Sequence, residues 1–313
     1  MLAYILRRLA GMLAVMLIVA AIVFVIARVV PGDPAAVMLG SAATPEDVAA
    51  LRGRLGLDQP LLVQFVIYLR QIATLDLGQS IFLNQPVARA LAQRAELTAT
   101  LTLMAAGIAT MIGVPVGLLS AVRRGTGLDQ AVVAFAMLAA SVPSFWTGLT
   151  LIKYLAVDLR WFPVAGYGPP GATFAERLRY LVLPAIALGI PNSALILRFT
   201  RTSMLDVLGE DYVRTARAKG LPPGIVVLKH AFRNALIPVV TVVGLTVAVL
   251  IGGAIVTETV FGLPGVGNLI VSAVLRRDYP VIQGALLVIS GIYVLINLGI
   301  DLLYAVIDPR VRY

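Results

Sequence analysis

The sequence predicts an all-α polytopic membrane protein with six transmembrane helices and both termini on the cytoplasmic side. Three observations carry that expectation. Hydrophobic residues fill 59% of the 313 positions and charged residues 13%, against about 45–50% and about 25% in soluble globular chains. Mean hydropathy is +0.94. Six segments approach the ~20 apolar residues that a bilayer core requires, and Lys and Arg fall unevenly between alternate loops. A transmembrane barrel would instead show ~10-residue alternating segments, and none is seen.

The first span runs from about Leu9 to Val30, with Arg28 as its only charge, placed at the end where a long side chain reaches the interface. Its length exceeds the usual h-region of about 7–15 residues, and no A-x-A-like site precedes Pro31-Gly32-Asp33-Pro34. It therefore reads as a retained anchor. Residues 31–97 then form a folded external piece. Pro45-Glu46-Asp47 predicts a helix start leading into Val48–Leu55. Leu61, Leu62, Phe65, Val66 and Leu69 recur at helical spacing, and Asp76-Leu77-Gly78 reads as a turn before Ile81.

The second span is roughly Leu97–Val122 and the third roughly Ala131–Ile152. The fourth, Leu181–Leu197, is short and holds Pro184 and Pro191. The fifth is Ala235–Thr257, and the sixth Val281 to about Ile307, with Asp301 in its last turns. Segments 1–8, 123–127, 198–235 and 307–313 carry thirteen basic residues in 58 positions, whereas 31–97, 156–180 and 260–281 carry ten in 114. The denser set is expected inside. The net charge of +9 is explained by that rule without invoking nucleic acid. With no cysteine and one histidine, His230, disulfides are excluded and thiolate or multi-histidine metal sites lack ligands.

The most informative loop is Gly209-Glu210-Asp211-Tyr212-Val213-Arg214-Thr215-Ala216-Arg217-Ala218-Lys219-Gly220-Leu221-Pro222-Pro223. Acids open it, bases close it, and a glycine with prolines ends it. That pattern predicts a short dipole-matched helix with a left-handed C-cap at Gly220. Ala216 and Gly220 lie four apart and predict a small close-approach stripe, with Arg214 and Arg217 as a cationic face beside it. Such a helix suits docking onto another protein; a solvated loop that merely obeys the positive-inside rule has the same composition.

With the following Leu228-Lys229-His230-Ala231-Phe232-Arg233-Asn234-Ala235-Leu236-Ile237-Pro238, this loop resembles the coupling loop of ABC importer permeases. More narrowly, it resembles the branch serving dipeptides, oligopeptides, glutathione and nickel chelates. Matching landmarks in order are Leu55-Gly56-Leu57-Asp58-Gln59-Pro60, Ser141-Val142-Pro143-Ser144-Phe145-Trp146, Glu258-Thr259-Val260-Phe261-Gly262-Leu263-Pro264-Gly265-Val266-Gly267, Arg277-Asp278-Tyr279-Pro280 and Asp308-Pro309-Arg310. Each alone is weak; the ordered set covers nearly the whole chain.

The resemblance implies a type I, MetI-like permease fold in a bacterial inner membrane. Residues 1–97 would be the N-terminal anchor plus external helical segment, and 98–313 a five-helix core with the coupling loop at 204–235. It also implies partners: a second, similar permease, two ATPase subunits and an external solute-binding protein. The docking residues it implies are Arg214, Thr215, Ala216, Arg217 and Gly220. The family's loop reads Glu-Ala-Ala, three residues, then Gly. Here Arg214, Thr215 and Ala216 fill the first three places, so a Glu-mediated contact is not carried over. The family's Ile-x-Leu-Pro is also replaced, by His230-Ala231-Phe232-Arg233.

No cofactor is expected in this chain; ATP and magnesium would belong to the partner ATPases. A phosphate-cradling loop requires a lysine directly after a glycine, whereas Lys153, Lys219 and Lys229 follow Ile152, Ala218 and Leu228. Prolines 115, 143, 184, 191 and 238 are read either as hinges lining a gated path or as bends that pack. Asn192, Ser193, Thr246 and Glu258 are candidates for the path or gate, although most hydroxyls in spans bond to their own helix. Glu258 has a second reading, as an anchor for the turn into a surface helix at Leu269–Leu275. Asp301 shares a face with Asn297, and a structural pairing with Arg310 or a loop arginine is favoured. His230 reads as an interface residue.

Two other function classes fit less well. An ion-coupled secondary transporter needs embedded carboxylates or histidines and often inverted repeats; Asp301 is the one clear mid-span acid and no repeat is visible. A membrane-embedded enzyme needs a nucleophile with a base, or clustered metal ligands, and neither pattern is present. Small peptides rank first as substrate, with glutathione or a nickel chelate as alternatives.

Overall fold

The computed structural model describes residues 2–29, 34–39, 44–54 and 56–307. Its secondary structure is helical, apart from an isolated bridge between Gln79 and Pro86 among the described residues. The helices are α1 (Leu2–Val29), α2 (Pro34–Leu39), α3 (Pro45–Arg54), α4 (Leu61–Ala73), α5 (Val87–Val122), α6 (Gly127–Ser141), α7 (Ser144–Leu151), α8 (Phe174–Leu208), α9 (Asp211–Ala218), α10 (Pro223–Ile225), α11 (Arg233–Val260), α12 (Val266–Arg276) and α13 (Tyr279–Ile307). Two π-helical turns, Ile152–Asp158 and Val226–Phe232, extend α7 and join α10 to α11. The chain divides into two compact units, 1–96 with 268–294 and 97–267 with 295–313. Pro31-Gly32-Asp33, Leu55 and Asp308-Pro309-Arg310 lie outside the described residues, and with them the expected Asp301–Arg310 pairing.

In the first unit, α1 packs on α4 through Phe24, whose ring meets Phe65 edge-on at 5.2 Å and Tyr68 at 5.6 Å. Arg28 Nε donates to Gln64 Oε1 at 2.8 Å, and Gln64 Nε2 donates to the Gln59 carbonyl at 2.8 Å. The helix start expected at Pro45 is present. Thr44 and Asp47 cap α3 reciprocally, Thr44 Oγ1 donating to Asp47 Oδ2 at 2.7 Å and accepting from the Asp47 N–H at 3.2 Å. These bonds hold the exposed Asp47 carboxyl below its usual pKa. The turn at Asp76-Leu77-Gly78 forms with the Gly78 N–H on Asp76 Oδ1 at 3.0 Å. Asp278 then ties the next turn to the start of α13, accepting from Ser80 Oγ at 2.6 Å and from the N–H groups of Ile81 and Phe82.

In the second unit the core lies where α5, α8 and α11 meet, with Leu101, Leu181, Leu188 and Leu250 fully or almost fully buried. Gly113 and Gly117 allow α5 to approach α8. A Cβ at Gly113 would stand 2.8 Å from Ile196 Cβ, and one at Gly117 2.6 Å from the Leu197 carbonyl oxygen. Gly189 on α8 does the same toward Ala105. Small residues at such spacing let apolar helices pack where no hydrophobic force separates lipid from side chain.

Among the described residues, five helices are long and apolar enough to cross a membrane, and a sixth span exists if α6 and the α7 segment are counted together. That pair is the expected third span, and Pro143, read from the sequence as a hinge or a bend, is where it breaks. The chain bends by 92° between Ser141 and Ser144. Val142 sits at φ −87°, ψ 121° and Pro143 at φ −63°, ψ 139°, because the residue before a proline is pushed out of the α region and the ring removes a helix donor. The fourth span is longer than expected, since α8 runs unbroken through Pro184 and Pro191 for 35 residues. Its start is fixed by a Thr173–Glu176 capping box.

Candidate functional site

The segment after α8 folds as the charge pattern predicts. Gly209 ends α8, Glu210 precedes α9, and α9 closes at Gly220 with φ +74°. The Gly220 N–H donates to the Arg217 carbonyl at 2.9 Å and the Leu221 N–H to the Ala216 carbonyl at 3.4 Å. This paired arrangement satisfies two terminal carbonyls and favours glycine at the left-handed position. Leu221 completes it by packing on the same cluster as Val213 and Ala216.

Burial divides α9 into two faces. Val213 and Ala216 are buried against Ala121, Met204, Val226, Ala231 and Ala235. Tyr212 is fastened to the next turn, its hydroxyl accepting from Asn234 Nδ2 at 2.7 Å, while the same amide donates to the His230 carbonyl. Asp211, Arg214, Thr215, Arg217, Lys219 and Gly220 are exposed. Arg214 pairs with Asp211 at 2.9 Å, an exposed i,i+3 contact worth little by itself. Arg217 and Lys219 pair with no carboxylate among the described residues. Ala216 is thus separated from the other expected docking residues: a small residue was read as a close-approach stripe for another protein, and it is the chain's own helices that approach it.

α9 is therefore a stiff exposed knuckle seated on the ends of α5, α8 and α11. Arg201 on α8 grips Asp129 at the start of α6, Nε to Oδ1 at 2.8 Å and Nη2 to Oδ2 at 2.8 Å. Asp129, 4% exposed, also accepts from Ser120 Oγ and from the Gly125 N–H at 3.0 Å. Residue spacing carried no signal for this node. The Gly113/Gly117 pair, by contrast, has a readable four-residue spacing within an apolar span.

The expected path residues are mostly occupied within the chain. Ser193 Oγ donates to the Ile190 carbonyl at 2.6 Å and Thr246 Oγ1 to the Val242 carbonyl at 2.7 Å, and both are buried. Asn192 is half-buried, with Nδ2 on the Leu188 carbonyl at 2.7 Å. Glu258 has no exposed surface. Its Oε1 accepts from Thr98 Oγ1 at 2.6 Å, and Thr98 Oγ1 accepts from the Val266 N–H at 2.9 Å. Gly265 and Gly267 close over the carboxylate, and a Cβ at either would collide with it. Of the two readings of Glu258, the turn anchor is the one built here. Ser193, Thr246 and Glu258 are thus buried and hydrogen-bonded within this chain, and Ser193 also lines a cavity of about 280 Å³ with Ile112, Val132 and Phe135. Among the described residues no group of three His, Asp or Glu side chains is placed to hold a metal ion.

Comparison with known proteins places this geometry in context. Residues 113–313 match the binding-protein-dependent transport system inner membrane component family, and residues 1–102 match the N-terminal model of the same kind of membrane component. The chain is 46% identical to the probable peptide ABC transporter permease protein y4tP of Sinorhizobium fredii, over 99% of both chains. It is 42% identical to the dipeptide transport system permease protein DppB of Alkalihalophilus pseudofirmus and 43% identical to the glutathione transport system permease protein GsiC of Salmonella typhi, each over the full length of both. Among solved structures, an inward-facing MetNI methionine ABC transporter chain aligns with a TM-score of 0.59 at 20% identity, covering 70% of this chain and 96% of that one. That likeness is one of fold.

Proposed function

From the premise that the chain belongs to the binding-protein-dependent transport system inner membrane components, we propose that it is the permease subunit of an ABC importer that moves small peptides. It is a multi-pass inner-membrane protein. In this reading a second, similar permease completes the path, and an external solute-binding protein delivers the peptide. Two separate ATPase subunits hold ATP and magnesium and drive alternation between outward and inward openings. Both termini and α9 face the cytoplasm, residues 1–97 form the anchor and external segment, and 98–313 form the core.

The observation that carries the reading is the exposed, cationic, C-capped α9, clamped from behind by buried Val213 and Ala216. Ligand and nucleotide bias a two-state assembly only through contacts that differ between its states, and α9 is a rigid point where such a contact can act. Arg214, Thr215, Arg217 and Gly220 supply its outer face, with Ala216 setting its seat. Asn192, Ser193, Thr246 and Glu258 are the candidate path or gate residues.

The test is peptide uptake per ATP hydrolysed in proteoliposomes holding the whole importer. Arg217→Glu and Gly220→Trp should uncouple hydrolysis from uptake while membrane insertion is retained. Gly220→Asn, which tolerates the left-handed backbone, should keep most coupling. Normal stoichiometry in Arg217→Glu and Gly220→Trp would remove α9 as the docking face. Glutathione is the second substrate reading, favoured by the 43% identity to a glutathione permease; a nickel chelate is the third. Competition among dipeptide, glutathione and nickel chelate for the cognate binding protein ranks them.

A further inference from the structure

The first unit contains a cavity of about 290 Å³ whose wall includes Arg28, Tyr68, Gln71, Gln79, Tyr279 and Gln283. Nothing in the transport reading uses it. Its polar groups are unevenly matched. Arg28 spends Nε on Gln64 and lies 5.0 Å from the Phe24 ring centroid, yet pairs with no carboxylate among the described residues. Asp76 stands on the same wall but is exposed, with Oδ1 engaged by the Gly78 N–H. The hydroxyls of Tyr68 and Tyr279 are buried and have no hydrogen-bond partner among the described residues, and Tyr279 as a whole is only 7% exposed. Burial pushes the Tyr68 phenol up to about 12, against the opposing pull of Arg28, so it stays a neutral O–H donor near neutral pH.

Buried polar groups in folded chains are normally satisfied, and each exception calls for a partner. A guanidinium presents donors only, and a neutral phenol offers one more. Arg28 and the two phenols therefore bring unspent donors to a space of about 290 Å³, large enough for a small head group. The complementary ligand is acceptor-rich and negative. Arginine suits it because its planar fork matches the two oxygens of a carboxylate or phosphate.

We propose that this cavity is an oxyanion site, in which Arg28 with Tyr68 and Tyr279 holds a carboxylate or a phosphate diester. The same chemistry has two sources. Arg28 stands at the end of the first span, at the level where lipid phosphates lie, and a soluble peptide carries a terminal carboxylate. The proposal stands independently of α9 and of the ATPase partners.

The experiment uses the full chain, in its importer complex, in nanodiscs of phosphatidylcholine alone or of phosphatidylcholine mixed with phosphatidylglycerol. The thermal midpoint is followed as the anionic lipid fraction is raised, and separately, in phosphatidylcholine alone, as diglycine is titrated. A rise with phosphatidylglycerol identifies the lipid source and a rise with diglycine the soluble one; either supports the site. Arg28→Gln should weaken the responding anion about tenfold or more, the loss expected for a charge-assisted hydrogen bond. If Arg28→Gln does not fold, Tyr68→Phe combined with Tyr279→Phe serves. It should leave the anion-free midpoint unchanged or higher, because it removes unpartnered hydroxyls, while reducing the anion-dependent rise. No rise with either anion, or an equal rise in wild type and variants, would overturn the proposal.

Discussion

Arg201 holds Asp129 through two parallel hydrogen bonds of 2.8 Å across 72 residues of sequence. The pair joins the start of α6 to α8 one turn before Met204 and Leu205, which seat α9. Ser120 on α5 donates to the same carboxylate, so one acidic side chain ties together the ends of three helices. Whatever displaces α9 acts on a base fastened at this node.

Removing one partner of such a pair leaves a charge uncompensated, at a cost of about 3–5 kcal/mol in fully buried cases. Arg201 keeps a quarter of its side chain exposed, so Asp129→Ala should lie at the lower end, about 3 kcal/mol. The double variant Asp129→Ala with Arg201→Met should lose less than the sum of the two singles, as contacting residues do. Chemical unfolding of the purified chain in detergent measures all three. Additive losses would show that the pair does not act as a unit.

Helix approach at Gly117 makes a second expectation. The Cβ of Gly117→Ala would stand 2.6 Å from the Leu197 carbonyl oxygen, and overpacking of this kind costs about 1–3 kcal/mol. Gly107 lies on the same helix with nothing within 4 Å of an added Cβ. Gly107→Ala should be neutral or stabilising by up to about 1 kcal/mol. Equal midpoints for the two variants would contradict the close crossing of α5 and α8.

At the Glu258 turn, Thr98→Val removes the donor to the carboxylate and the acceptor for the Val266 N–H together. Unsatisfied buried groups cost about 1–3 kcal/mol each, so this variant should be clearly destabilised. Thr98→Ser keeps the hydroxyl and should lose far less. Gly265→Ala should also destabilise, because its methyl meets the carboxylate. A Thr98→Val protein as stable as Thr98→Ser would rule out the anchoring role.

The absence of cysteine makes orientation directly measurable. Single variants Lys219→Cys and Gln59→Cys both fall at exposed positions. In intact cells a membrane-impermeant maleimide should label Gln59→Cys, and Lys219→Cys only after the membrane is opened. The reverse pattern would invert the proposed topology.

Much of this was legible without coordinates. Six apolar stretches, the helix start at Pro45-Glu46-Asp47, the helical run from Leu61 and the left-handed close at Gly220 all follow from short-range physics: burial of apolar runs in lipid, propensity and terminal hydrogen bonding. A proline in a span was legible too, but not its consequence. Pro143 breaks its span by 92°, whereas Pro184 and Pro191 sit in an unbroken helix.

What the tertiary structure alone decided is which way each residue faces and which distant partner it meets. Ala216 turns inward because α5, α8 and α11 supply an apolar seat for it. Glu258 is sealed because two glycines let the following turn close over it. Asp129 and Arg201, like Ser80 and Asp278, are joined by chain crossings that no local pattern encodes. Apolar periodicity tells a helix that it has a lipid-compatible surface, but neighbouring helices compete with lipid for every face, and that competition is resolved only when all of them are packed.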